Sequence, residues 1–176
     1  MLSESRFKDS GETAHDLIFG YDVLVECPKC SNCAFARKSS EKYPYFRIIC
    51  NRCGLLPISN TLSWGSGYFM DYQLWLRVNC CGHVLWAYNM QHLDFLESYV
   101  AASLRERKPN INQSLASRLP VWIKSTKNRD QLITWQRENR LLSHPFHRNR
   151  IDPEDFCSSF AAFRLDDFRF PTPILQ

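Results

Sequence analysis

The sequence predicts an α+β fold of antiparallel β-hairpins followed by a small helical segment, and three observations carry that prediction. Two Cys-x2-Cys pairs, Cys27/Cys30 and Cys50/Cys53, flank a β-branched and aromatic run. Residues 72–78 alternate in the period of a half-buried strand. From Leu93 the apolar spacing changes to three and four, the period of a helix.

Residues 1–20 are polar with little periodicity and are expected to form a flexible arm that joins the fold near Leu17 and Phe19. Region 21–90 is expected to hold the hairpins. Within it, Tyr43–Ile49 has the residues of a strand that delivers Cys50, and Leu55–Ser59 suits a second strand. Trp64-Gly-Ser-Gly67 signals a tight turn; it lacks the GxxxxGK[ST] pattern of a phosphate loop. Tyr72, Leu74, Leu76 and Val78 share one strand face, Cys80-Cys81-Gly82 reverses the chain, and His83–Tyr88 returns antiparallel.

Region 91–142 is read as a basic helical segment. Asn89 has the side chain of an N-cap, and Leu93, Leu96, Val100 and Leu104 form one apolar stripe, widened by Phe95 and Tyr99. Arg105, Arg107 and Lys108 suit the last turn of that helix, and Pro109 stops it. Ser114–Arg118 and Pro120–Lys124 read as short helices. Asn128 is expected to cap a helix through about Arg140, with Gln131 completing a capping box. The acidic tail, 143–176, carries Phe156, Phe160, Phe163, Phe168 and Phe170 and ends on an extended Pro-Thr-Pro segment.

With 44% hydrophobic and 23% charged residues the composition is that of a globular chain, which excludes disorder throughout. No apolar run approaches the ~18–20 residues of a membrane span, and the polar, acidic start differs from a signal peptide. A soluble cytoplasmic protein is therefore expected. In that compartment thiols stay reduced, so the eight cysteines are read as metal ligands rather than a disulfide framework.

The 19 residues between Cys30 and Cys50 fall within the Cys-x2-Cys spacing of a zinc site. Each pair grips one edge of a tetrahedron, Gly54 supplies a flexible exit, and four thiolates leave no open coordination position. The expected cofactor is therefore a structural Zn2+ on Cys27, Cys30, Cys50 and Cys53. A redox dithiol is disfavoured, since neither pair lies in a βαβ pattern. Cys33, Cys80, Cys81 and His83 are candidates for a second ion, against the plainer reading of buried thiols and a strand histidine.

No catalytic constellation is recognisable. A deaminase needs His-x-Glu, which is absent, and His144-Pro-Phe-His147 has no nearby acidic or cysteine partner.

The segments CPKCSNCA, CNRCG, LWLRVNCCGHVLWAYNMQHLDFLESYVAASLRER and SLASRLPVWIKSTKNRD resemble uncharacterised bacterial TFIIB-type zinc-ribbon-containing proteins over residues 25–135. The resemblance implies a zinc ribbon joined to a helical segment and implies no activity.

Charge is uneven along the chain. Residues 105–150 contain eleven Lys and Arg against three acids, whereas 151–176 contain two against five. Such a block suits a nucleic acid, with Arg118, Lys124, Lys127, Arg129 and Arg137 as the candidate contacts and Trp122 and Trp135 as stacking surfaces. The alternative is a protein–protein adaptor or regulatory protein with a purely structural zinc, its Phe-rich tail seated in a partner groove or clasped over the basic block.

Overall fold

The computed structural model describes residues 5–39, 46–59, 62–106 and 113–135. Its architecture is mixed α+β, built from antiparallel hairpins and a few short helices. The expectations placed on the tail, on Tyr43–Tyr45, on Arg107–Pro109 and on the helix beyond Trp135 lie outside the described residues.

Strands β2 (Val23–Glu26), β3 (Cys33–Lys38), β4 (Phe46–Ile49) and β5 (Ile58–Ser59) form a four-stranded antiparallel sheet in chain order. Its residues alternate between two cores. Leu24 and Phe35 face one, with Leu76, Leu85 and Leu96; Val23, Val25, Ala34 and Ala36 face the other, with Phe46, Phe69, Cys27 and Cys50. Burial on both faces explains why β2 and the first half of β3 are continuously apolar rather than alternating.

Strands β6 (Trp64–Gly65), β7 (Tyr68–Phe69) and β8 (Tyr72–Gln73) make a small meander. Ser66 and Gly67 both have positive φ, as a two-residue type I′ hairpin turn demands, so the glycine-rich signal was indeed a turn. Strands β9 (Leu76–Cys80) and β10 (His83–Ala87) form the second expected hairpin, with Cys81 and Gly82 at its tip. The strand expected over 72–78 is split at Leu74–Trp75, where Trp75 donates its amide to Leu24 and Leu74 bridges Val25. That detour closes the free edge of β2.

Helix α2 runs Met90–Ala101, and the Asn89 side chain accepts the His92 amide as its cap. Leu93, Leu96 and Val100 pack with Leu76, Leu85 and Ala87 of the hairpin. Leu104 does not belong to the stripe: the helix ends at Ala102, and Leu104–Glu106 form β11, parallel to β1 (Arg6–Lys8). Leu104 is therefore exposed. The same pairing corrects the view of residues 5–20, the described part of the first segment, as a flexible arm, while the expected junction near Leu17 has its counterpart. Phe7 packs edge-on against Phe95 and Tyr99, and α1 (Ala14–Gly20), closed by a Thr13/Asp16 capping box, buries Leu17 and Ile18.

Two short helices follow, α3 (Leu115–Arg118), capped by Ser114, and α4 (Val121–Lys124), with Pro120 just before its first residue. Asn128 does not cap the next helix. It lies in a 3-10 turn, Thr126–Asn128, that runs directly into helical residues 129–135, and its amide donates to the Trp122 carbonyl instead. Among the described residues no helix is long and apolar enough to cross a membrane.

Candidate metal centre

The sheet delivers two knuckles to one point. The turn after β2 carries Cys27-Pro-Lys-Cys30, and the turn after β4 carries Cys50-Asn-Arg-Cys53. Their four sulfurs all lie within 4.8 Å of one another, so the group is placed to hold a metal ion. Cys27 Sγ stands 3.6 Å from Cys53 Sγ, and Cys30 Sγ 3.6 Å from Cys50 Sγ; each close contact joins one knuckle to the other. Cys27 and Cys50 are buried, while Cys30 and Cys53 face partly outward.

Backbone amides are aimed at the sulfurs in the same way in both turns. The N–H groups of Lys29 and Cys30 approach the Cys27 sulfur, and those of Arg52 and Cys53 approach the Cys50 sulfur. Burial nevertheless raises the Cys27 thiol and pushes Cys50 up to about 12. For Cys30 burial also acts upward as the largest single influence, yet the Asn32 side chain and amide, with the Cys50 and Cys27 sulfurs, together bring it down to about 6. Four thiolates this close repel one another strongly, and a divalent cation supplies the charge that lets all four ionise. The donor set therefore fits a metal, and Asn32, which donates from Nδ2 to the Cys30 carbonyl, steadies the first knuckle in a way that no sequence spacing signals.

The second candidate group does not assemble among the described residues. Cys33 is disulfide-bonded, contrary to the expectation that every cysteine is reduced or metal-bound. His83 is exposed and stacks on Trp122, ring centroids 4.9 Å apart, so its ring is committed to the aromatic rather than to sulfur. Cys80 and Cys81 remain as an adjacent free pair.

The basic candidates divide between inward and outward positions. Lys124 Nζ donates to the Ser117 carbonyl at 3.1 Å, and an Arg129 Nη2 donates to Ala102 at the end of α2. Arg105 adds bonds to the Tyr99 and Lys124 carbonyls. Trp135 is buried and Trp122 half-buried. Arg118, which donates to Gln113, and Lys127 are exposed; Arg137 lies outside the described residues.

Sequence reasoning missed a cleft of about 460 Å³ between the β9–β10 hairpin, α2 and α3–α4. Trp64, His83, Trp86, Tyr88, His92 and Trp122 line it, and Arg118 contributes a cation. The signal available was the density of aromatic residues over 64–88.

Compared with known proteins, the chain matches no family model, no curated protein and no solved structure.

Proposed function

We propose that the chain is a zinc-stabilised binding protein whose metal is structural. The observation that carries this reading is the convergence of four sulfurs within 4.8 Å from two amide-lined knuckles. A tetrahedral zinc with bonds of about 2.3 Å spaces its sulfurs about 3.8 Å apart, close to the 3.6 Å of the two nearest pairs. Four protein ligands leave no place for water or substrate, so the ion staples β2–β5 as a zinc ribbon rather than reacting. Purified protein should contain one zinc per chain, and Cys27→Ser or Cys53→Ser should lose both metal and fold. Zinc-free protein with both variants folded would overturn the reading.

The partner that best suits the surface is another protein. Arg105, Lys124 and Arg129 spend hydrogen bonds on backbone carbonyls, which weakens their claim as phosphate contacts. The aromatic cleft, with Trp64 and Val84 exposed at its margin, offers the apolar anchor sites that protein interfaces favour. Nucleic acid is the second reading, supported by exposed Arg118 and Lys127. Photo-crosslinking from position 64 in the host should trap one protein, and the trap should vanish when Trp122 is replaced by Ala. Salt-sensitive binding to DNA or RNA, weakened by Lys127→Ala, would favour the second reading instead.

A further inference from the structure

We propose that Cys80 and Cys81 form a dithiol modification site that exchanges with a low-molecular-weight disulfide of the glutathione type and closes to a disulfide between the neighbouring residues. Four observations carry it. The two sulfurs already stand 3.3 Å apart. Cys81 is partly exposed while Cys80 is buried, so an incoming disulfide reaches Cys81 first. Cys81 also sits at the first central position of a two-residue turn with φ of 55°, where Gly82 follows at 74°. Such turns favour Asn, Asp or Gly at that position, and a cysteine accepts the left-handed conformation at a cost. Finally, the Cys81 sulfur donates to Gln131 Oε1 at 2.9 Å, tying the hairpin tip to the helical residues 129–135.

The exchange balances in two steps. The Cys81 thiolate attacks one sulfur of RS–SR; a Cys81–SR bond forms, the S–S bond breaks, and RS⁻ leaves to take up the proton Cys81 released. Cys80, as thiolate, then attacks the Cys81 sulfur, forming the Cys80–Cys81 bond and expelling the second RS⁻, which takes the Cys80 proton. Two electrons pass from the protein to the small disulfide, and two RSH are released. Burial, then the hydrogen bond and charge of Cys81, holds the Cys80 thiol up at about 12. The Cys81 share of that disappears once its sulfur is capped.

Adjacent Cα atoms are 3.8 Å apart, shorter than the span of an ordinary disulfide, so the closed form is strained and easily reduced. Closure also removes the S–H that holds Gln131. The pair lies with the other core, among Leu76, Leu85 and Leu132, and not with the four-cysteine group.

The test uses the metal-loaded full chain incubated with excess oxidised glutathione, then alkylated and digested with trypsin. The peptide Val78–Arg105 contains both cysteines and no other. It should be two hydrogens lighter and carry no alkyl group, and should take two alkyl groups after reduction. Cys80→Ser, which cannot close, should instead stop at one glutathione on Cys81. Two alkyl groups on the wild-type peptide after oxidant, or a persistent glutathione adduct on it, would overturn the proposal, as would a Cys80→Ser chain that acquires no adduct.

Discussion

Ser31 and Gly54 occupy equivalent places in the two knuckles. Each follows the second cysteine of its pair, has a positive φ (52° and 68°), and donates its amide to the carbonyl of the first cysteine, at 2.8 and 2.9 Å. The two turns thus share one backbone path, though only one of them places glycine where that path is left-handed.

This asymmetry is measurable. An added Cβ at Gly54 meets nothing within 4 Å, so Gly54→Ala should lose only the backbone cost, about 1 to 2 kcal/mol. Ser31→Gly removes the same strain but gives back roughly 0.5 to 1 kcal/mol of unfolded-state entropy, so it should lie between neutral and a gain of about 1 kcal/mol. Denaturant titration of metal-loaded variants measures both. A large loss for Ser31→Gly would show that the equivalence is only geometric.

Leu96 faces the hairpin and is 2% exposed, among Leu85, Leu93 and Val100. Leu96→Ala should therefore cost about 2 to 5 kcal/mol, whereas Leu104→Ala, on the exposed strand, should stay within about 0.5 kcal/mol. Equal losses at the two positions in urea unfolding would contradict the break at Ala102.

Arg105 is predicted to matter for folding more than for charge. Its guanidinium lies 4.5 Å from the centroid of the Tyr99 ring and donates to the Tyr99 and Lys124 carbonyls, tying the end of α2 to α4. Arg105→Ala should destabilise by about 1 to 3 kcal/mol, and Lys127→Ala by less than about 0.5. A neutral Arg105→Ala would free that side chain for a polyanion and revive the nucleic-acid reading.

What the sequence made legible follows from how local each signal is. The cysteine spacing, the Asn89 cap and the Leu93/Leu96/Val100 stripe are all set within a few turns of chain, and each has its counterpart in the fold. The end of α2 was not legible, because Leu104–Glu106 leave the helix to pair with Arg6–Lys8, almost a hundred residues earlier. Asn128 and Gln131 carry a cap signature but spend their side chains on Trp122 and Cys81, partners that only tertiary packing supplies. The Cys33 disulfide was hidden because cysteine spacing does not reveal which thiols pair.

His92 supplies the last prediction, which concerns pH. It is 5% exposed; its Nδ1 accepts the Tyr88 amide, and its ring lies 5.3 Å from that of Tyr88 and 5.7 Å from Trp86. Arg118 lines the same cleft. Burial lowers the His92 pKa from 6.5 to about 4. The unfolded chain therefore takes up the proton first as pH falls. The contribution of neutral His92 is complete above pH 6.5, declines as pH drops toward 4, and changes no further below it. Linkage puts the whole effect at about 3 kcal/mol, with about 2 kcal/mol already lost at pH 5. His92→Gln retains an acceptor for the Tyr88 amide but does not titrate. Its unfolding free energy should thus fall less than that of the wild type between pH 7 and pH 5. Any metal held by the four cysteines would be lost alike from both chains at acid pH, so the difference between them isolates the histidine. Parallel declines in urea unfolding at the two pH values would show that His92 is protonated in the folded state without penalty.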